Sequence, residues 1–159
     1  VITIATDIIN TKENRQLLYK YLSKFFNPEK AQSLIKEHNQ KGTLWTHGGL
    51  AYSLGKRSIE FFSMYFLQDT FVPKPDNQAR NLSPTHYEVW ELLEQCLIKD
   101  EFDKVVLCLP RGFAKSTIVT YATVIHQGVY NTPIGFYQMV IGKTEADAQQ
   151  FIFDVRYEC

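Results

Sequence analysis

The run from Val105 to Leu109, "VVLCL", contains no polar residue and stops at "PRGFAKST", residues 110–117. Five consecutive apolar residues, led by two β-branched ones, predict a short strand covered on both faces, because a half-exposed strand alternates apolar with polar. Such a strand needs parallel neighbours, and parallel neighbours need crossover helices. The flanking pattern supplies them. Ser83-Pro84 reads as an N-cap with proline at the first helical position. It opens a helix whose Val89, Leu92, Leu93, Cys96 and Leu97 form a buried stripe, ended by the acidic turn "KDEFD". After the loop comes a helix with Ile118, Ala122, Ile125 and Val129 inward. "TPIGF" then leads to a second strand, about Tyr137 to Ile141. Thr144, with Asp147 three residues on, caps a last helix whose Ala148, Ile152 and Val155 face the core. Helix, strand, loop, helix, strand, helix is the opening of an α/β unit with parallel strands. Two strands do not complete the sheet that their apolar character implies, so the expected sheet is only partly contained in this chain.

Upstream the chain reads as helical. Leu17, Leu18, Tyr21, Leu22 and Phe25 recur at helical spacing between Lys12 and Phe26, and Asn27-Pro28 ends that helix. A second helix is predicted from about Pro28 to His38, followed by the polar turn "EHNQKGT". Residues 43–57 carry three glycines and two aromatics, and periodicity assigns them no element. Ser58 to Leu67 reads as an aromatic-rich helix with Ile59, Phe62 and Phe66 along one side. "FVPKPDNQARNLSP" has three prolines in fourteen residues and reads as a connection. The expected organisation is a helical lead-in over 1–57, a helix and linker over 58–82, and an α/β segment over 83–159.

At 159 residues with 45% hydrophobic and 14% aromatic content, the chain has the means for a real core and the size of one domain or part of a larger protein. The net charge is zero, which removes any general electrostatic argument for nucleic acid or membrane. The halves differ: residues 1–80 hold 11 basic and 7 acidic side chains, and residues 81–159 hold 6 and 10. Cys96, Cys108 and Cys159 have no metal-ligand spacing, and an odd count argues against a disulfide scaffold, so a reducing compartment is expected. No run approaches the roughly 18 apolar residues of a membrane span, and the opening "VITIATDIINTKEN" lacks the basic start of a signal peptide. The absent initiator Met suggests trimming at that end.

A loop that holds nucleotide phosphates needs a tight turn with inward N–H groups and a helix whose positive end faces the anion. It also needs a Lys for the β and γ phosphates and a Ser or Thr hydroxyl for Mg²⁺. Residues 105–118 supply that order, with Lys115 for phosphate, Ser116 for Mg²⁺ and Gly112 as the flexible point. Against G-x-x-x-x-G-K-[ST], however, Leu109 and Ala114 stand where glycines belong. A Cβ at a position of positive φ costs about 1 kcal/mol or more. The plain alternative makes Lys115 a solvated lysine at a helix start. A rival Gly142-Lys143-Thr144 satisfies the last three symbols only. Tyr137 stands at its first glycine and apolar residues fill the space between, so it reads as a strand end and helix cap.

"LPRGFAKST" after an apolar strand resembles the variant phosphate loop, P-R-G-x-x-K-S-T, of the large subunit of tailed-phage terminases. Pro110, Arg111, Gly112, Lys115, Ser116 and Thr117 match that form residue by residue. "YFLQDTFVPKPDNQARNLSPTHYEVWELL" is similar to the family's segment with a Pro and then a His before a helix. "MVIGKTEADAQQFIFDVRYE" is similar to its second strand and Ala-containing helix. The resemblance covers about residues 58–158.

The resemblance implies a RecA-like P-loop NTPase core, a three-layer αβα arrangement around a parallel sheet, preceded by a helical segment and truncated before Walker B. It implies ATP and Mg²⁺ as cofactors, with Pro110, Arg111, Gly112, Phe113, Ala114, Lys115, Ser116 and Thr117 around the phosphates. Arg111 and Lys115 act on the transferred phosphoryl group and Ser116 acts on the metal. The implied task is DNA packaging into procapsids, with double-stranded DNA, portal and small terminase subunit as partners. A homo-oligomeric ring, a nuclease domain, no membrane, and the cytoplasm of an infected host cell complete the implied picture. Arg111 has the alternative of a surface arginine. Arg80, Pro84 and His86 are candidates for adenine contact, and His86 is equally a helix-start residue packing on Trp90.

Hydrolysis needs an Asp for the Mg²⁺ shell and a Glu to polarise water at a strand end after the loop. No apolar run followed by Asp-Glu occurs after residue 118. The chain alone is therefore expected to bind nucleotide weakly and hydrolyse it poorly. Its end at Cys159 reads as a gene truncation, a splicing junction or an arbitrary cut. Two other readings remain open: part of a helicase-like RecA-type ATPase, and a non-enzymatic binding fragment.

Overall fold

Thr11 accepts the Asn14 amide through Oγ1 at 3.1 Å and so starts α1, Lys12–Leu22. The computed structural model containing this cap describes residues 10–101, 103–131 and 138–158. The chain divides into two compact units, one of Thr6–Asn81 and one that contains Leu82–Cys159.

In the first unit, Asn27 accepts the Lys30 amide at 2.9 Å, with Pro28 next, and starts α2, Pro28–Gln40. The unassigned stretch 43–57 is a turn followed by α3, Leu50–Arg57. The turn is fixed by backbone bonds from Thr43 to His38 at 2.8 Å and from Leu50 to Thr43 at 3.2 Å. It drives Leu44 into a core shared with Leu18, Tyr21, Leu22, Phe61 and Tyr65. Ser58 caps α4, Ile59–Phe66, by accepting the Phe61 amide at 3.1 Å. Trp45, Tyr65 and Phe61 stack in sequence, with centroids 4.9 and 5.2 Å apart. α5, Gln68–Phe71, is followed by the proline-rich connection. Asn77 folds that connection back: its Nδ2 donates to Asp69 O and Val72 O, and its Oδ1 accepts the Lys74 and Ala79 amides.

The second unit contains α6, Pro84–Leu97, then a six-residue π-helical segment, Ser116–Tyr121, that runs directly into α7, Ala122–Asn131. Val89, Trp90 and Leu93 of α6 are buried, as are Ile118, Tyr121, Ala122 and Ile125. Past α6 the chain reverses through Asp100 at φ +56°, a left-handed conformation that Asp tolerates. Gln138 donates to the Val124 carbonyl at 3.0 Å, and Thr144 accepts the Asp147 amide at 3.2 Å to start α8, Glu145–Glu158.

The expected α/β architecture is overturned. Among the described residues there is no strand and no sheet, so the parallel sheet and three-layer RecA-like core predicted from the apolar runs are not what this chain forms. A strand exists only through hydrogen bonds to a neighbour, and an apolar run does not supply the neighbour. Val105, Leu107 and Leu109 are half-buried while Val106 and Cys108 are exposed, Val106 to 88%. The run is thus covered on one side only, by packing that needs no ladder.

The second expected strand has the same outcome. Tyr137 and the lead-in 132–136 lie outside the described residues, 138–141 form no strand, and Ile141 is 81% exposed. Within α8, Ala148 and Val155 are half-buried but Ile152, expected inward, is 54% exposed. Leu97, expected in the α6 stripe, is exposed, while Trp90, outside that stripe, is fully buried. Val129 of α7 is only half-buried, and Cys159 lies outside the described residues.

Candidate functional site

Two residues of the loop have left-handed backbone: Gly112 at φ +80° and Ala114 at φ +53°. A Cβ on Gly112 would meet nothing within 4 Å, so glycine is favoured there by φ and not by space. Ala114 carries a conformation that L residues avoid, at a cost of about 1 kcal/mol. Ala114, which stands where the pattern calls for a glycine, is therefore bent the way a glycine would be.

The bend leads straight into a helix start. Ile118 N–H bonds Ala114 O at 2.8 Å, and Lys115 is in right-handed helical conformation. Lys115 turns back over the loop, and its Nζ donates to Leu109 O and Pro110 O, each at 2.8 Å. Ser116 is exposed in the first position of the π segment, and Thr117 beside it is half-buried. The first N–H groups of a helix have no intrahelical acceptor and carry the positive end of its dipole. Pro110 and Arg111 are exposed, Phe113 is half-buried, and Arg111 forms no ion pair among the described residues. From Lys104 to Thr144 the sequence holds no Asp or Glu, so Arg111 and Lys115 have no carboxylate nearby in the chain.

α6 holds this loop at two points. His86 Nδ1 accepts the Ser83 amide at 2.8 Å, which leaves the proton of a neutral ring on Nε2. That nitrogen lies 3.3 Å from the Phe113 carbonyl and donates to it, with the two rings 4.2 Å apart. One turn further on, the buried Trp90 donates its indole N–H to Ile118 O at 2.9 Å.

His86 is thus a helix-start residue, as one sequence reading had it, but its ring meets Phe113. Pro84 is exposed at the first position of α6. Arg80 is exposed and belongs to the other unit, Thr6–Asn81. The roles of Phe113 O and Trp90 were missed. Their one trace in the sequence is the spacing of His86 and Trp90, four apart and so on one helix face.

The rival Gly142-Lys143-Thr144 makes no such bend. A Cβ on Gly142 would sit 3.1 Å from Ala148 N, against the first turn of α8, so this glycine serves close packing at a helix cap.

Ser116 Oγ suits Mg²⁺ held chiefly by phosphate oxygens and water, the usual mode for this cation. Among the described residues no group of three or more His, Cys, Asp or Glu is placed to hold a metal ion. Nor is any helix among them long and apolar enough to cross a membrane. No family model, no curated protein and no solved structure matches this chain.

Proposed function

We propose that residues 110–117 bind the phosphates of Mg·ATP, and that the chain contributes this loop to an ATP-driven DNA-packaging motor of the terminase large-subunit kind. The observation that carries the first part is the pair of left-handed residues, Gly112 and Ala114, set immediately before Lys115 at a helix start. The second part rests on the resemblance of "PRGFAKST" to the terminase loop.

In this reading the Lys115 ammonium exchanges its two loop carbonyls for β and γ phosphate oxygens. The N–H groups at the start of the π segment take further oxygens, Ser116 Oγ joins the Mg²⁺ shell, and Arg111 faces the γ phosphate. Bound Mg²⁺ supplies neutralisation of phosphate charge. With no carboxylate between Lys104 and Lys143 to polarise a water, the segment is assigned binding and not cleavage. The duplex, portal, small subunit and ring assembly are partners of this reading through the same resemblance.

Calorimetric titration tests the binding. The chain is expected to bind Mg·ATP saturably, and Lys115→Ala to weaken that by about 10- to 100-fold, as losing charge-assisted hydrogen bonds does. A folded, monodisperse wild-type chain that takes up no Mg·ATP would rule the reading out in favour of a non-enzymatic binding role. Unimpaired packaging by a full-length protein carrying Lys115→Ala would rule out the motor assignment.

A further inference from the structure

We infer that His86 is a positioning residue of the phosphate loop, setting the direction of the Ala114 amide by holding the Phe113 carbonyl without itself touching nucleotide. The inference rests on the reading of 110–117 as a phosphate site. It begins with the peptide that joins Phe113 to Ala114. A trans peptide is planar and its C=O and N–H point to opposite sides. A donor that fixes the Phe113 oxygen therefore also fixes where the Ala114 N–H points, away from α6. His86 Nε2 is that donor, at 3.3 Å, and the contact of the two rings, 4.2 Å between centroids, resists rotation of the same residue.

The peptide in question lies between the two left-handed residues, Gly112 and Ala114, and an unsupported chain does not stay in that conformation at an alanine. His86 is itself immobilised. Its Nδ1 accepts the Ser83 amide at 2.8 Å, so the ring is anchored to the first turn of α6 and presents its N–H in one direction only. Both nitrogens are engaged by protein groups, which argues against the alternative role of His86 in contacting adenine. Trp90 fixes the far side through Ile118 O, so the bend is held between two points on one helix.

The cap and the clasp can be separated by substitution. Glu at the third helical position accepts the N-cap amide but has no N–H for Phe113 O. Gln offers both an acceptor and a donor, and Met offers neither. In the nucleotide-free chain, NMR reads the left-handed φ of Ala114 from its strong intraresidue amide-to-Hα cross-peak. That signature is expected in the wild type and His86→Gln and is expected to vanish in His86→Glu, while the His86→Glu unfolding midpoint stays near wild type. Affinity for magnesium pyrophosphate, compared between the two neutral variants, is expected to fall about tenfold in His86→Met and to stay within about threefold in His86→Gln. Retention of the Ala114 signature in His86→Glu, or equal losses of affinity in Met and Gln, would overturn the role of His86. A wild type that shows the signature but ignores pyrophosphate would instead overturn the phosphate reading on which it rests.

Discussion

The indole N–H of Trp90 donates to the Ile118 carbonyl, the acceptor that the Ala122 amide would take in an α-helix. The Ala122 amide bonds Thr117 O and Val119 O instead. The π register of Ser116–Tyr121 thus coincides with a side chain from α6 that claims one of its carbonyls, the kind of insertion that displaces a helical ladder. Trp90→Phe removes the donor and some core volume. It should destabilise the second unit by about 2 kcal/mol or more and let the segment relax toward α geometry. Urea unfolding followed by circular dichroism measures the first effect, and an unchanged midpoint would dismiss the bond as incidental.

Positive φ at residues 112 and 114 gives opposite expectations for one methyl group. Gly112→Ala puts a Cβ where none stands and should cost about 1 kcal/mol. Ala114→Gly relieves strain of similar size but adds freedom to the unfolded chain, so it should lie within about 1 kcal/mol of neutral. Thermal unfolding of the two variants decides, and the expectation fails if Gly112→Ala is the milder change.

Tyr65 is buried and its hydroxyl has no hydrogen-bond partner among the described residues. Burial holds its ionisation well above the ordinary tyrosine range. The fold therefore favours the neutral phenol, and this contribution is intact below the unfolded value of about 10 and lost as pH rises past it. Tyr65→Phe should flatten the alkaline fall in stability of Thr6–Asn81 and raise its stability at neutral pH by about 1 kcal/mol, since a buried unpaired hydroxyl is removed. Denaturation at neutral and alkaline pH would contradict this if the variant lost stability at both.

At the end of α2, Glu37 accepts from Lys41 Nζ at 2.6 Å, and that bond, helped by the charge of Lys41, holds the carboxyl below its usual range. A lowered value means the pair favours the fold above the unfolded carboxylate range and ceases to do so as pH falls through the folded value. Lys41→Met should move the Glu37 carboxyl midpoint upward in a carbon-detected NMR titration. Both side chains are exposed, so the midpoint should move far more visibly than the melting temperature. No movement of the midpoint would show that the pair is not formed in solution.

Two helix starts were legible because a cap is written within four residues: Ser83-Pro84 and Thr144 stand where the sequence put them, whereas Asn27-Pro28, read as the end of the first helix, caps the second, and the first already ends at Leu22. α3 was not, since Leu44 and Leu50 are buried by α1 and α4 residues that no local window contains. The strands failed for the same reason from the other direction. Residues 105–109 specify apolarity, and only a partner at long range turns apolarity into a ladder. Within the loop, Gly112, Lys115 and Ser116 could be named from spacing. The grip of His86 on Phe113 could not, because it joins a side chain to a backbone oxygen 27 residues away.

Lys115 is already latched, with Leu109 O and Pro110 O as its partners. On the phosphate reading proposed above, an arriving anion takes part in an exchange and must outcompete two neutral oxygens for one cation. A singly charged ion gains little by that trade, whereas the clustered charge of a polyphosphate gains much. On that same reading, acetate should leave the Lys115 Nζ resonance where it is and tripolyphosphate should move it, and the latch would then filter for charge density at the mouth of the loop.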